Sequence, residues 1–416
     1  MKVVDKKICT PLEVVINYFL EHNYSENMFN KDGSINLNYN SYKKTGTIAK
    51  IFEEHWDECY FKNKELIDKY RPNAINEVQK IIDCANKDLG CTAYTCPKCH
   101  DVIFIGNTCK SRLCTSCGYK YKTERVESIM QHVVNCPHRQ MVFTIPMEMR
   151  CYFFDFQYMD LLFKAVNMTL DSILHESYKK NKNGILIKYE INKGFKFGFY
   201  SFLHTFGRDI KWNPHIHVLI AETIFNDEGK SKKYTYFDYD ALSKRFQKIL
   251  LDLMKDIIPK NIIKKIYNDH KKGFYVYAEP KKFKNFKHGV EYVARYCGRP
   301  CISENRIINY DGKNVTFCFN AHEDESYHEV TVSACEFIMM ILRHLIPFEF
   351  KTIRSYGFYR KKLKNHDKIN MLIKDSVKKF RKQLLKYELS ILNSFNRSPF
   401  DCPRCNTRMD FLCVVT

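Results

Sequence analysis

Two cysteine pairs of one form, Cys96-Pro-Lys-Cys99 and Cys114-Thr-Ser-Cys117-Gly118, are separated by 14 residues. Each pair can present two thiolates on a tight turn. Two such turns facing each other make a tetrahedral site suited to zinc, which favours soft ligands and has no redox chemistry. Cys96, Cys99, Cys114 and Cys117 are therefore expected to share one structural Zn²⁺. Protein fills every position on such an ion, so its role is to present a basic surface (Lys110, Arg112, Lys120, Lys122) rather than to do chemistry. Seven of the 18 cysteines fall between Cys84 and Cys117. Cys91, Cys109 and His100 lie near enough in sequence to support a second ion. Further on, Cys402-Pro-Arg-Cys405 is half a site. It either borrows a ligand such as Cys413 or holds no ion.

Charge narrows the partner. Lysine and arginine number 67 against 47 acids, a net charge of +20 over 416 residues. Folding needs no such excess, whereas a polyanion is attracted by it. The excess is concentrated: Lys351 to Glu388 holds 13 basic residues against 3 acids. Met1 to Thr10 has no apolar core of signal-peptide length, and no run reaches the roughly 18 apolar residues of a membrane span. The expectation is a cytoplasmic protein with no membrane partner, where cysteines stay reduced and crowding signals metal.

Along the chain, patterns of period 3.6 and period 2 mix without a βαβ rhythm. Residues up to about Asp83 read as helical, opening at Pro11 and again at Ile48. Arg139 to Ile145, Phe199 to Phe206, His215 to Ala221, Phe274 to Ala278 and Val315 to Phe319 read as strands, with Gly207-Arg208-Asp209 turning between the second and third. Phe156 to Tyr178, Asp238 to Ile257, Phe286 to Arg299, Cys335 to Ile346 and Ile369 to Leu392 read as helices, with Pro259 and Pro300 as stops. The expected class is α+β with an antiparallel sheet flanked by helices. The expected divisions are a helical region at 1–85, a zinc-binding domain at 86–130, a sheet domain at 138–300, a basic helical region at 301–400 and a cysteine-bearing tail at 401–416.

The most informative segment is Trp212-Asn213-Pro214-His215-Ile216-His217-Val218-Leu219-Ile220. On a strand His215 and His217 point one way while Ile216, Val218 and Ile220 face the core. Two imidazoles about 7 Å apart along a strand can share a metal ion. Alone the pattern is weak; Glu291-Tyr292-Val293-Ala294-Arg295-Tyr296-Cys297-Gly298-Arg299 strengthens it. On a helix Tyr292 and Tyr296 share a face, and Arg295 and Arg299 form a second pair suited to phosphate. A phenol with a pKa of about 10 is a poor nucleophile. A metal beside it helps by polarising the scissile phosphate.

His215-Ile216-His217 with Tyr292-x-x-x-Tyr296 resembles the HUH endonucleases in their two-tyrosine transposase branch. Leu89-Gly90, the Cys96 pair and Ser111 to Gly118 resemble the zinc-binding N-terminal domain of transposases of the insertion-sequence ninety-one type. Val142 to Pro146, His204-Thr205-Phe206-Gly207, Tyr292 to Pro300, Asn305-Arg306-Ile307 and Arg354-Ser355-Tyr356-Gly357 follow in that family's order. The chain departs at Thr115, often proline there, and at Ala221-Glu222, often glycines. The resemblance implies an HUH nuclease core that nicks and rejoins single-stranded DNA at transposon ends and targets, through a 5′-phosphotyrosine on Tyr292 or Tyr296. It implies Mg²⁺ or Mn²⁺ on His215 and His217, with His204 the first choice of third ligand and Glu291 the second. DNA contacts are expected from Arg295, Arg299 and Arg354, in a bacterial protein associated with the nucleoid. The competing readings are a plasmid relaxase or replication initiator of the same chemistry, and a non-catalytic zinc-ribbon DNA-binding protein.

Overall fold

The computed structural model describes residues 46–180, 185–278, 300–321, 324–360, 375–396 and 398–415. The expected helices opening at Pro11 and spanning Phe286 to Arg299 lie outside them, wholly or in their opening residues. The chain runs through α1 (Thr47–Tyr70) and α2 (Ala74–Ile82) to the hairpin β1 (Cys91–Thr95) and β2 (Val102–Gly106), then α3 (Thr115–Met130). Next come β3 (His138–Thr144), α4 (Met159–His175) and a second hairpin, β4 (Glu176–Lys180) with β5 (Leu186–Glu190). They are followed by β6 (Phe195–Lys196), β7 (Gly198–Phe206), β8 (Trp212–Ala221), β9 (Thr223–Asn226) and β10 (Ser231–Lys233). Two helices, α5 (Tyr239–Leu253) and α6 (Lys260–Asp269), lead to β11 (Val276–Ala278). A meander of β12 (Ile307–Tyr310), β13 (Asn314–Asn320) and β14 (Tyr327–Ser333) precedes α7 (Ala334–Leu342) and β15 (Ile353–Gly357). The last elements are α8 (Asp375–Gln383), α9 (Tyr387–Phe395) and β16 (Asp410–Val415).

The expected α+β class with an antiparallel sheet is what forms. Five strands in the order β11-β3-β8-β7-β15, each antiparallel to its neighbour, make the central sheet. Alternation gives it two apolar faces. One face carries Met141, Phe143, Phe199, Leu203, Ile216, Val218 and Ile220, covered by α4 and α5. Those helices form because Leu162, Phe163, Val166, Leu170, Ile173 and Leu174, and likewise Leu242, Phe246 and Leu250, recur at helical spacing. Asp238 starts α5 by accepting from the Ala241 amide at 3.0 Å. Phe143 meets Phe246 edge to face with centroids 5.2 Å apart. Each such buried ring contributes on the order of 1.5–3 kcal/mol. The opposite face carries Tyr200, Phe202, Leu219 and Ala221 and is covered at one end by Val126, Ile129 and Met130 of α3.

A second core joins α1, α2 and α7 to the meander through Phe52, Trp56, Val78, Phe317, Phe337 and Ile341. Arg71 locks the two cores together. Its buried guanidinium donates to the carbonyls of Leu342 (3.1 Å), Phe154 (3.2 Å) and Arg343, and it lies over the rings of Phe156 and Trp212.

These pairings redraw the divisions read from sequence. The central sheet does not close within 138–300, because its edge strand β15 comes from the stretch expected to be a basic helical region. A β-sheet register can recruit a strand from any distance along the chain. Nor does the tail stand apart: β16 pairs with β1 in a three-stranded sheet, β16-β1-β2. The expected single helix over Ile369 to Leu392 is interrupted between α8 and α9, in its described part. At the end of β15 the left-handed Gly357 (φ 56°) lies so close to the Phe197 carbonyl that any Cβ would collide with it.

Candidate active site

Three histidines meet on the α3 side of the central sheet. His204 on β7 and His215 on β8 are direct cross-strand partners, and His217 lies two residues on, opposite Phe202. His204 Nδ1 is 3.3 Å from His215 Nε2, which is 3.1 Å from His217 Nε2. Two nitrogens each about 2.1 Å from one ion and 90–110° apart would be separated by roughly 3.0–3.4 Å. The observed spacing therefore fits three ligands of one metal, and the three side chains form a group able to hold an ion. Ile216 and Val218 fix the arrangement, since burying them in the opposite core forces the histidines to this face.

Burial keeps the His215 and His217 rings neutral. All three residues are no more than 8% exposed. Desolvation pushes His215 down to about 4, with the Arg150 guanidinium adding to the effect. Burial, then the neighbouring His215, holds His217 well below its ordinary value. Neutral imidazole is the form that binds a cation. Hydrogen bonds also set the tautomer: His215 Nδ1–H donates to the Asn213 carbonyl at 2.6 Å, turning the Nε2 lone pair to the centre. His217 Nδ1 lies 3.3 Å from the side-chain amide nitrogen of Gln140 on β3, whose Oε1 has no hydrogen-bond partner among the described residues. Turned end for end, that amide accepts from Nδ1–H, and the His217 Nε2 lone pair then faces the other two rings. Sequence reasoning missed Gln140 and Arg150. Gln140 was legible only through register, because it precedes Met141, which pairs with Val218.

The cysteines group differently from the single site expected. Cys96 and Cys99 do not share a site with Cys114 and Cys117. Cys84, Cys109, Cys114 and Cys117 form one cluster, with Sγ separations of 3.7 Å (Cys84–Cys117 and Cys84–Cys114) and 3.5 Å (Cys109–Cys117). Tetrahedral Zn–S bonds of about 2.3 Å would separate sulfurs by roughly 3.8 Å. The physical reason is that Cys114 caps α3 and Cys117 lies in its first turn, both packed on the second core, where the chain leaving α2 delivers Cys84. Thiol hydrogen bonds from Cys109, Cys114 and Cys117 drive the Cys84 thiol far down. Hydrogen bonds among the same four drive Cys109 up. A divalent ion binds the thiolate forms and displaces their protons. Cys96 and Cys99 instead group with Cys402 and Cys405. Cys91, His100 and Cys413 belong to neither cluster.

With this geometry the chain matches two family models. One, described as a putative transposase, covers residues 198–367, and one described as a transposase zinc-binding domain covers residues 51–145. The first spans β7, β8 and all three histidines. The second contains the whole Cys84, Cys109, Cys114, Cys117 cluster. The chain belongs to the transposases of the insertion-sequence ninety-one type.

This transposase is 24% identical over 367 residues to the transposase for insertion sequence element IS801 of Pseudomonas savastanoi pv. phaseolicola, covering 82% of this chain and 84% of that protein. It is 24% identical over 297 residues to putative transposase y4qJ of Sinorhizobium fredii (strain NBRC 101917 / NGR234), covering 66% and 71%. No solved structure matches it. The zinc-binding family and the four-cysteine geometry together support a structural Zn²⁺ in the transposase. Among the described residues no helix is long and apolar enough to cross a membrane.

Tyr292, Tyr296, Arg295, Arg299 and Glu291 lie outside the described residues of the transposase. Arg354 does not join the histidines. It pairs with Ser201 of β7, on the opposite sheet face, where its guanidinium stands 4.0 Å from the centroid of the Phe163 ring and bonds to Asp160. Strand parity, invisible without the register, sends it there. On the histidine face the edge strand carries Tyr277, which pairs with Val142, itself paired with His217. The Tyr275 ring stacks on Tyr277 with centroids 6.3 Å apart and planes 8° from parallel. These rings are 61% and 45% exposed.

Proposed function

We propose that this transposase nicks and rejoins single-stranded DNA through a 5′-phosphotyrosine on Tyr292 or Tyr296, with His204, His215 and His217 holding Mg²⁺ or Mn²⁺. The observation that carries the reading is the convergence of three buried imidazoles on one face of an antiparallel sheet, within the family's transposase region. The donor set fits such an ion. Nitrogen ligands suit Mn²⁺ better than Mg²⁺, which prefers oxygen, and three protein ligands leave positions open. When bound, the ion polarises the scissile phosphate and offsets charge on the leaving oxygen.

The protein groups do the rest. The tyrosine oxygen forms a bond to phosphorus as the bond from phosphorus to the 3′ oxygen breaks, and the phenol proton ends on the released 3′-OH. Attack by that hydroxyl, or another, on the phosphotyrosine restores a phosphodiester and frees the phenol. Energy is conserved in the covalent link, so rejoining needs no external source, and two tyrosines allow two strands to be held in turn. Arg150, near enough to act on His215, supplies positive charge beside the phosphate. The exposed Tyr275 and Tyr277 pair offers a stacking platform for unpaired bases. The basic stretch from Lys351 to Glu388 supplies counter-charge for the backbone.

The test is incubation with single-stranded element ends and Mn²⁺, followed by mass spectrometry of tyrosine-linked DNA. The adduct is expected on Tyr292 or Tyr296. The double change to Phe should abolish it and leave DNA binding intact. An adduct that persists in the double variant rejects the assignment.

A further inference from the structure

Cys402 and Cys405 lie beyond both stretches that match family models. We infer that they form a second zinc site with Cys96 and Cys99, clasping the tail onto the β1–β2 hairpin. The sulfurs interleave across the two pairs: Cys96 to Cys405 is 3.5 Å, Cys99 to Cys402 is 3.5 Å and Cys99 to Cys405 is 3.6 Å. These separations far exceed a disulfide bond of about 2.05 Å. They approach the roughly 3.8 Å edge of a tetrahedron of sulfurs around zinc.

The backbone supplies an independent argument, because the two pairs sit on matching turns. In the first, the Cys96 amide donates to the Asp101 carbonyl (2.8 Å) and the His100 amide to the Cys96 carbonyl (2.9 Å). In the second, the Cys402 amide donates to the Thr407 carbonyl (2.9 Å) and the Asn406 amide to the Cys402 carbonyl (2.9 Å). The fourth residue after the first cysteine is left-handed in both, His100 at φ 55° and Asn406 at φ 56°. Each turn thus aims two thiols at one point, and strand pairing of β1 with β16 brings the turns face to face. Around them lie Tyr94, Ile103, Ile105 and Met409, an apolar setting that excludes water from the sulfurs. Thr95 at the end of β1 is followed by Cys96, so the clasp extends the sheet rather than hanging from a loop.

The site is structural, since four thiolates fill a tetrahedral ion. The full-length protein carrying His215→Ala and His217→Ala, which removes the histidine site, and purified with Zn²⁺ should carry two zinc ions per chain by elemental analysis. In that background Cys402→Ser with Cys405→Ser should carry one, and Cys84→Ser with Cys109→Ser should also carry one. A background chain holding a single ion, or a tail variant of it that keeps two, overturns the inference. A measurement on unmodified protein guards against misfolded variants. Alkylation read by mass spectrometry should find Cys96, Cys99, Cys402 and Cys405 protected together and released together by a chelator. Free reaction of Cys402 and Cys405 in zinc-loaded protein, or recovery of a Cys96–Cys405 disulfide from it, overturns the inference equally.

Discussion

His204 and His215 are direct partners across β7 and β8, and the ring nitrogens that face each other are 3.3 Å apart. One residue of register slip would send His204 to the opposite core and leave two imidazoles where three now meet.

His204→Ala is therefore expected to weaken Mn²⁺ binding by more than the roughly 10–100-fold loss typical of groups behind the ligands. Nicking should be lost with it. Titration calorimetry and a cleavage assay on single-stranded DNA check both. Wild-type Mn²⁺ affinity in this variant would remove His204 from the metal.

Gln140→Leu leaves all three imidazoles in place and removes only the group behind His217. Metal affinity should fall by about 10–100-fold, with cleavage restored by raising Mn²⁺. The concentration of Mn²⁺ at half-maximal cleavage is the readout. An unchanged value would mean that the amide does not orient the ring.

Tyr275→Ala and Tyr277→Ala should weaken binding of single-stranded DNA while sparing double-stranded binding. Stacking is worth about 1–3 kcal/mol per base, so each change should raise Kd roughly 5–150-fold. Fluorescence anisotropy with both DNA forms distinguishes loss of stacking from general loss of affinity.

Stability should fall as pH drops from about 6.5 to about 4. His344 is fully buried, and desolvation pushes it down to about 4 from an ordinary 6.5. Within that window the unfolded chain binds a proton that the folded chain refuses, so acid favours unfolding. Below about 4 the dependence levels off. The full effect of this one group is on the order of 3 kcal/mol. Its ring bonds to Thr205 Oγ1 at 3.1 Å and donates to the Ile210 carbonyl at 2.9 Å. Comparing denaturant unfolding of wild type and His344→Gln across this range isolates the term. Equal slopes would show that His344 is not the titrating group.

Much of the fold could be read before the structure. The strands expected at Arg139 to Ile145, Phe199 to Phe206 and His215 to Ala221 are β3, β7 and β8 within a few residues, because alternation over a buried face is a local signal. The helix expected from Asp238 is α5, announced by its cap and apolar stripe. What sequence could not show was partnership over distance. The spacing of Cys96 to Cys99 fits a turn, but it does not say which second turn will face it. The neighbouring pair at Cys114 was the economical choice, and packing on the second core diverted that pair to Cys84 and Cys109. β15 was missed for a similar reason. Ile353 to Gly357 is short and half-polar, and becomes a strand only because the β7 edge awaits it. Arg354 followed that strand to the far face.

The grouping of Cys96 and Cys99 with Cys402 and Cys405 has a consequence for how the protein is made. At about 5–20 residues per second, roughly 15–60 s of translation pass between the two halves. During that interval the early thiols wait unmatched on the nascent chain. A copy cut short by a premature stop would never complete the set, and its Cys96 and Cys99 would stay half a site.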